Sequence, residues 1–301
     1  MCHAGPVTES GESSSHRSRQ IRPGTVHGLD AHLIETPNAR AAISVFGGQV
    51  LSFRPVGTGH DVVWVSPVLA DLPTPIRGGI PVCWPYFARE GQTGDVPSHG
   101  YARTARWAIT GSVVAETGEV EVSLAPEGLD HLGLRLSMTV RVGATLEQGI
   151  HTHNPGATTA RLTEALHNYF RVSDVADVRV EGLAGLTYAD KFDGGAIHPQ
   201  HGEWTLPDSP ARSDRLYPGA GGTYRIIDPG FDRVIEIQGR QARTAVVWNP
   251  GAEVAQGMAD VGPHWREFVC VEIANAGPDV IQIDAGATHS MWQTISVAPV
   301  S

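Results

Sequence analysis

The sequence predicts an all-β protein, a large antiparallel β-sandwich, and two observations support this prediction. Apolar and polar residues alternate along many short segments; in the segment 134–142 every second residue is apolar, which is typical of a strand with one buried face. Turn residues are frequent, with 35 Gly and 21 Pro in 301 residues, and the sequence contains no long segment with helical periodicity. Many short strands joined by turns favour a sandwich or a barrel over a fold of alternating strands and helices.

The same alternation predicts the individual strands, which turn signals such as Asn154-Pro155-Gly156 separate. In chain order, the predicted strands are 43–53, 61–65, 120–124, 134–142, 178–181, 224–227, 234–237, 245–248, 268–273 and 280–283. Short helical turns are expected at 67–72 and 253–261.

The chain is predicted to form one domain after a disordered N-terminal extension. Residues 1–22 are polar and rich in Ser and Gly, without the apolar segment of a signal peptide. Hydrophobic residues make up 41% of the whole chain, which is enough to build a core. Because no shift in composition marks a later boundary, residues 23–301 are expected to form a single β-sandwich domain.

Charge and cysteine content disfavour several classes of partner. The formal net charge of −10 argues against binding to nucleic acid or to an anionic membrane, and no apolar run approaches the length of a membrane span. The three cysteines, Cys2, Cys83 and Cys270, are widely scattered and odd in number, so a disulfide framework is not expected. We therefore expect a cytoplasmic protein, and a monomer.

The segment 77–103 carries the strongest signal of a binding site. Arg77, His99 and Arg103 lie there among glycines, prolines and aromatic residues. Aromatic rings beside polar donors are suited to holding sugar rings, and an arginine fork fits a phosphate or carboxylate with two parallel hydrogen bonds. The residue types predict a pocket for a polar, ring-shaped ligand that can carry negative charge.

Glu272 and His167 are candidate acid–base residues on strand-like segments. Alternation places Glu272 on the same side of its strand as Phe268 and Cys270, where a carboxylate must find partners or line a cavity. From the strand alone, a structural glutamate paired with an arginine is an equally good interpretation. His167, taken alone, is more typical of an interior histidine than of a catalyst. The adjacent Glu164 could orient it only if the strand twists or bulges, since neighbouring residues point to opposite faces.

Six sequence blocks resemble those of one family and occur in the same order as in that family. They are RGGIPVCWPYF, SHGYARTARW, EALHNYF, SDRLYP, VVWNPG and FVCVEIANA. The chain resembles the D-hexose-6-phosphate mutarotases, also called glucose-6-phosphate 1-epimerases, within the wider aldose 1-epimerase family. The blocks and their spacing extend over most of the chain after about residue 43. The resemblance implies the large β-supersandwich of galactose mutarotase-like proteins.

The resemblance also implies roles for individual residues. It implies that Glu272 is the general base and His167 the general acid of a reaction that needs no cofactor. The residues it implies for binding a sugar phosphate are Arg77, Ser98, His99, Arg103 and Asp214. Ser98 stands where some members carry a longer amide side chain, which leaves its contact with the phosphate open. Asp190 and Lys191 form a weaker candidate pair.

Two other functions remain as alternatives, and a metal site is also considered. An aldose 1-epimerase for unphosphorylated sugars would need only one of the arginines. A non-catalytic carbohydrate-binding protein would need neither His167 nor Glu272, and both are present. His151 and His153 share a strand face, as metal ligands would, but no carboxylate follows at ligand spacing, so no metal is expected.

Overall fold

A computed structural model describes residues 20–300 and confirms the predicted all-β class. The strands of this part of the chain are β1 (Ile21–Val26), β2 (Leu29–Glu35), β3 (Ala39–Ser44), β4 (Val50–Pro55), β5 (Val82–Cys83), β6 (Trp107–Val114), β7 (Val120–Pro126), β8 (Arg135–Val142), β9 (Leu146–His153), β10 (Ala160–Leu162), β11 (Glu164–Leu166), β12 (Tyr169–Arg171), β13 (Arg179–Glu181), β14 (Thr187–Asp190), β15 (Ala196–Pro199), β16 (Ser213–Pro218), β17 (Thr223–Asp228), β18 (Arg233–Arg240), β19 (Thr244–Asn249), β20 (Phe268–Asn275), β21 (Ile281–Ile283) and β22 (Thr288–Ala298).

Helical structure in the described residues is limited to short pieces. They are α1 (Gly251–Ala255) and the 3-10 helices Ala102–Thr104, Asp130–Leu132, Lys191–Asp193, Pro229–Phe231 and Gly262–Glu267. Within residues 20–300 no helix has the length and apolar character needed to cross a bilayer.

Two eight-stranded antiparallel sheets form the body of the molecule. One has the order β13-β17-β18-β22-β9-β8-β7-β6. The other, which we call the site sheet, has the order β15-β14-β16-β19-β20-β11-β5, with β12 also paired to β20. One continuous hydrophobic core contains residues of both sheets, so the two pack face to face as a sandwich. A four-stranded sheet, β1-β2-β3-β4, and the pair β10-β21 complete the fold.

Strand β20 lies within the site sheet and is buried on both faces. Val271 and Ile273 belong to the core between the large sheets. Phe268 and Cys270 belong to a separate apolar cluster together with Trp64, on the opposite face. Glu272 follows Cys270 by two residues and therefore shares that outer face, as the alternation predicts.

The first strand begins earlier than the predicted domain boundary. Ile21 pairs with Ile34 and Arg22 with Leu33, so the strand β1 reaches into the segment 1–22 that was expected to be an extension. Residues 1–19, which make up most of that segment, lie outside the described residues. The ordered domain therefore starts at or before Ile21.

Three predicted elements differ locally from the structure. The segment 43–53 is split between β3 and β4 because Gly47 and Gly48 take positive φ and turn the chain. The segment 61–65 forms only isolated bridges, since the carboxylate of Asp61 accepts the amide hydrogens of Phe53 and Val63. At 67–72 the chain bends without forming a helix. A local hydrogen bond from the Val68 amide to the Ser66 hydroxyl accompanies this bend.

Candidate active site

His167 lies in the gap between β11 and β12, and both of these strands pair with β20, the strand that carries Glu272. The pairs Leu166–Ile273 and Tyr169–Cys270 flank them in one common register, so His167 lies opposite Glu272. His167 Nε2 is 3.4 Å from Glu272 Oε1. Twelve per cent of the His167 side chain is exposed, against 2% for Glu272, so the imidazole forms the solvent side of the pair.

Burial shifts the pKa values of both groups. Desolvation raises the pKa of Glu272 well above its usual value; Lys191 opposes this effect and Asp214 adds to it. Desolvation also lowers the pKa of His167 well below its usual value, and the neighbouring His99, Arg77 and Arg103 lower it further. His167 Nδ1 and Glu272 Oε2 have no hydrogen-bond partner among residues 20–300. A pair of this kind can exchange protons with a ligand that it contacts.

Arg77 lies beside this pair and is held by two side chains. Its Nε donates to Asp260 at 2.9 Å, and one terminal nitrogen donates to the Tyr169 hydroxyl at 3.0 Å. The ring of Tyr169 in turn stacks on His167, with centroids 4.8 Å apart. Neither Asp260 nor Tyr169 was identified from the sequence as part of the site, because Asp260 is 183 residues away from Arg77 and no local pattern connects them.

Arg103, His99 and Ser98 form the next part of the site. Arg103 donates to the backbone oxygen of Ser98 at 2.6 Å, while its buried Nε has no partner in the described residues. His99 Nδ1 accepts the amide hydrogen of Ala88 at 3.3 Å, which leaves Nε2 as the protonated nitrogen. Burial, then the charge of Arg103, lowers the pKa of His99 to about 3, so this ring is neutral. The His99 ring meets the His167 ring edge-on, with centroids 5.6 Å apart.

Asp214, on β16, and Lys191, at the start of the 3-10 helix after β14, form the remaining part of the site. Asp214 pairs in register with Trp248 of β19, whose neighbour on β20 is Cys270. Desolvation raises the pKa of Asp214, while the nearby charge of Lys191 lowers it. Lys191 Nζ is 3.9 Å from Asp214 Oδ1. Lys191, only a weak candidate in the sequence, is therefore part of this group.

Other residues considered in the sequence lie elsewhere. Glu164 is fully buried beside Thr152 and His289, on the other face of its strand, and so does not orient His167. His151 is hydrogen-bonded to side chains of its own sheet, including Ser290 at 2.9 Å. Across residues 20–300, no group of three or more His, Cys, Asp or Glu side chains could hold a metal ion.

The structure thus brings together six of the predicted side chains, those of Arg77, His99, Arg103, His167, Asp214 and Glu272, whereas Ser98 contributes its backbone oxygen, which accepts from Arg103. The β-sandwich fold and the family model that matches it define an isomerase of the aldose 1-epimerase type. The chain belongs to the aldose 1-epimerase family, whose model matches residues 30–296.

Individual relatives agree with this membership. A protein of Salmonella typhimurium, provisionally named glucose-6-phosphate 1-epimerase, is 33% identical over 260 residues, which cover 82% of this chain and 84% of that protein. An Escherichia coli protein with the same provisional name is 33% identical over 259 residues, with the same coverage. The crystal structure of a provisionally assigned mutarotase from Salmonella typhimurium superimposes with a TM-score of 0.83 at 28% identity, covering 98% of this chain and 97% of that one.

Proposed function

We propose that this protein interconverts the α and β anomers of hexose 6-phosphates, glucose 6-phosphate above all, without a cofactor. The observation that supports it most directly is the placement of Arg77 and Arg103 beside the pair His167–Glu272. The names of the two bacterial relatives point to the same substrate. We further propose that it works in the cytoplasm as a monomer.

The reaction requires two proton transfers, one at each of the two oxygens bonded to C1. Glu272, as base, removes the proton of the C1 hydroxyl while His167, as acid, protonates the ring oxygen. The bond between C1 and the ring oxygen breaks and an open-chain aldehyde forms. Rotation about the C1–C2 bond presents the other face of the carbonyl, and closure returns both protons. A positioned acid–base pair typically accelerates such steps by about 10²–10⁴-fold.

The phosphate has a second effect, on the protonation of the pair. In the free protein burial raises the pKa of Glu272 and lowers the pKa of His167, so it disfavours the charged form of each group. The cyclic sugar needs these charged forms, a carboxylate as base and an imidazolium as acid. A phosphate held by Arg77 and Arg103 offsets two of the positive charges that lower the pKa of His167. Substrate binding therefore favours the imidazolium form of His167, which is the form that acts as an acid.

The ion pair between Arg77 and Asp260 favours a second candidate, a 1-epimerase for unphosphorylated sugars. Because Asp260 balances the charge of Arg77 at 2.9 Å, Arg103 is the one of these two arginines that has no carboxylate partner among residues 20–300. One free arginine is the number that an unphosphorylated sugar requires.

Exchange spectroscopy by NMR distinguishes the two functions. The rate of anomer exchange is measured for glucose 6-phosphate and for glucose, each with the unmodified protein and with the Glu272→Gln protein as control. Faster catalysed exchange of glucose 6-phosphate supports the proposal. Equal kcat/KM for the two sugars supports the second candidate, and no acceleration of either rejects both.

A further inference from the structure

Lys191 is the single lysine of the chain. The sequence contains 22 lysine and arginine residues, and 21 of them are arginine. A protein that uses arginine at every other basic position has its one ammonium side chain in the active site. Arginine offers a rigid planar fork, whereas lysine offers a compact point charge on a flexible stem. At this position the side chain therefore supplies a positive charge, not the two parallel hydrogen bonds of a guanidinium group.

The backbone around Lys191 fixes where its stem begins. Lys191 starts a 3-10 helix directly after β14, and Asp190 caps that helix by accepting the amide hydrogen of Phe192 at 2.9 Å. Strand β14 pairs with β16, which carries Asp214. The side chain extends over the ring of Phe87, with Nζ 4.7 Å from the ring centroid. The ammonium group is thus held between an aromatic face and the carboxylate of Asp214.

The groups that act on Glu272 come from several elements. His167 faces it at 3.4 Å, Asp214 lies on β16, and Lys191 lies on the 3-10 helix. The remaining titratable neighbours are Cys83, Cys270 and Tyr169, whose pKa values burial raises, so they are neutral at pH 7. Of the cations in the described residues, Lys191 is the one that lowers the pKa of Glu272, while the arginines act on His167.

We propose that Lys191 is a further functional residue of this site, whose ammonium group holds Asp214 in position and keeps Glu272 available as a carboxylate. The basic residues then have different roles: the two arginines face the anionic end of the substrate, while the lysine lies beside Asp214 and acts on Glu272 through its charge. The kinetic part of this inference rests on the proposed function, whereas the effect on the ionisation of Glu272 does not.

The first test measures ionisation in the absence of any sugar. The side-chain carboxyl of Glu272 is titrated by ¹³C NMR in the unmodified protein, in Lys191→Met and in Lys191→Arg, with the Glu272→Gln protein to identify its signal. Methionine keeps the length and the contact with Phe87 but removes the charge. We expect the pKa of Glu272 to rise in Lys191→Met and to stay close to the original in Lys191→Arg. An unchanged titration in Lys191→Met overturns the proposal, whatever that variant does to stability.

The second test measures turnover. Loss of the charge leaves Glu272 protonated over a wider pH range, so kcat/KM for glucose 6-phosphate in Lys191→Met should fall about tenfold more at the acidic end of the profile than at the alkaline end. A uniform loss at every pH would indicate a structural role only and would overturn the proposal. If the unmodified protein does not act on sugars but the NMR titration shifts as expected, the proposed function fails and this inference stands.

Because the chain has one lysine, chemical acetylation provides an independent check. The reagent removes charge at Lys191 and at the terminal amine, whereas in Lys191→Arg it can modify only the terminal amine. We expect acetylation to reproduce the Lys191→Met titration in the unmodified protein and to leave that of Lys191→Arg unchanged. Equal effects on both proteins, or no effect on either, would count against the role of Lys191.

Discussion

The imidazole of His167, which lies between β11 and β12, is opposite the carboxylate of Glu272 on β20, with Nε2 and Oε1 3.4 Å apart. Because one group supplies a proton while the other accepts one, we expect Glu272→Gln and His167→Ala each to reduce the rate of anomer exchange by about 10²–10⁴-fold. Binding of glucose 6-phosphate should remain, since the glutamine keeps the shape of the side chain. The double variant should lose much less than the two losses combined, because the pair acts as a unit. Full additivity of the two losses in anomer-exchange kinetics would contradict concerted roles.

Arg103 should determine the preference for a phosphate. Its Nε has no partner in the part of the chain that the structure describes, whereas Arg77 is already paired with Asp260, so replacing Arg103 disturbs fewer existing contacts. One charge-assisted hydrogen bond contributes about 1.5–3 kcal/mol, which corresponds to roughly a 10- to 150-fold change. In Arg103→Ala we expect kcat/KM to fall by about that factor for glucose 6-phosphate and to change little for glucose. A similar loss for both sugars would mean that Arg103 supports the loop and does not bind the phosphate.

Glu272 should reduce the stability of the fold at neutral pH. Its pKa is raised in the folded protein above the value of about 4.3 expected when unfolded, so between these two values the folded state binds more protons. Stability due to this group therefore falls as the pH rises through that window. We expect Glu272→Gln to melt about 2 °C or more above the unmodified protein at pH 8, with a smaller difference near pH 4.

Thermal unfolding across this pH range measures the effect, and Glu253→Gln is a matched control. The Glu253 side chain is 86% exposed, so its replacement should leave the melting temperature nearly unchanged at both pH values. A Glu272→Gln protein that melts below the unmodified protein at pH 8 would show that the carboxylate is stabilised in the fold.

Two N-terminal truncations should differ in their effect on the melting temperature. Removing residues 1–19 leaves every strand of the described structure intact, so we expect little change in melting temperature. Removing residues 1–22 deletes Ile21 and Arg22, whose backbones pair with Ile34 and Leu33, and Ile21 also packs against the core. The longer truncation should therefore melt at a lower temperature. Equal melting curves would show that the first residues of β1 do not stabilise the domain.

The sequence predicts those features that depend on alternation along one strand. The side of Glu272 follows from Phe268 and Cys270, two and four residues away, because a strand buried on both faces still alternates strictly. The family resemblance, confirmed by the matching family model, predicted the supersandwich. The roles of the site residues remain predictions.

Contacts between distant segments could not be predicted in this way. The ion pair of Arg77 with Asp260 depends on how the sheet brings two remote loops together, and nothing near either residue indicates it. The hydrogen bond from Ala88 to His99 depends on positive φ angles at both residues, which the sequence does not suggest because neither is a glycine. The segment 61–65 forms isolated bridges instead of a strand because the carboxylate of Asp61, and not a backbone oxygen, accepts the amide hydrogen of Phe53.

Strand β20, buried along its whole length, constrains how this enzyme can be redesigned. A substitution at Val271 alters the core, and one at Cys270 alters the apolar cluster next to Glu272. Changing substrate specificity by substitutions in β20 would therefore also disturb the packing. Variation is better tolerated around the strand, at the exposed positions that follow Lys191 and in the exposed loop that precedes Ser98. Libraries for directed evolution toward other sugars should therefore diversify these two segments and leave β20 unchanged.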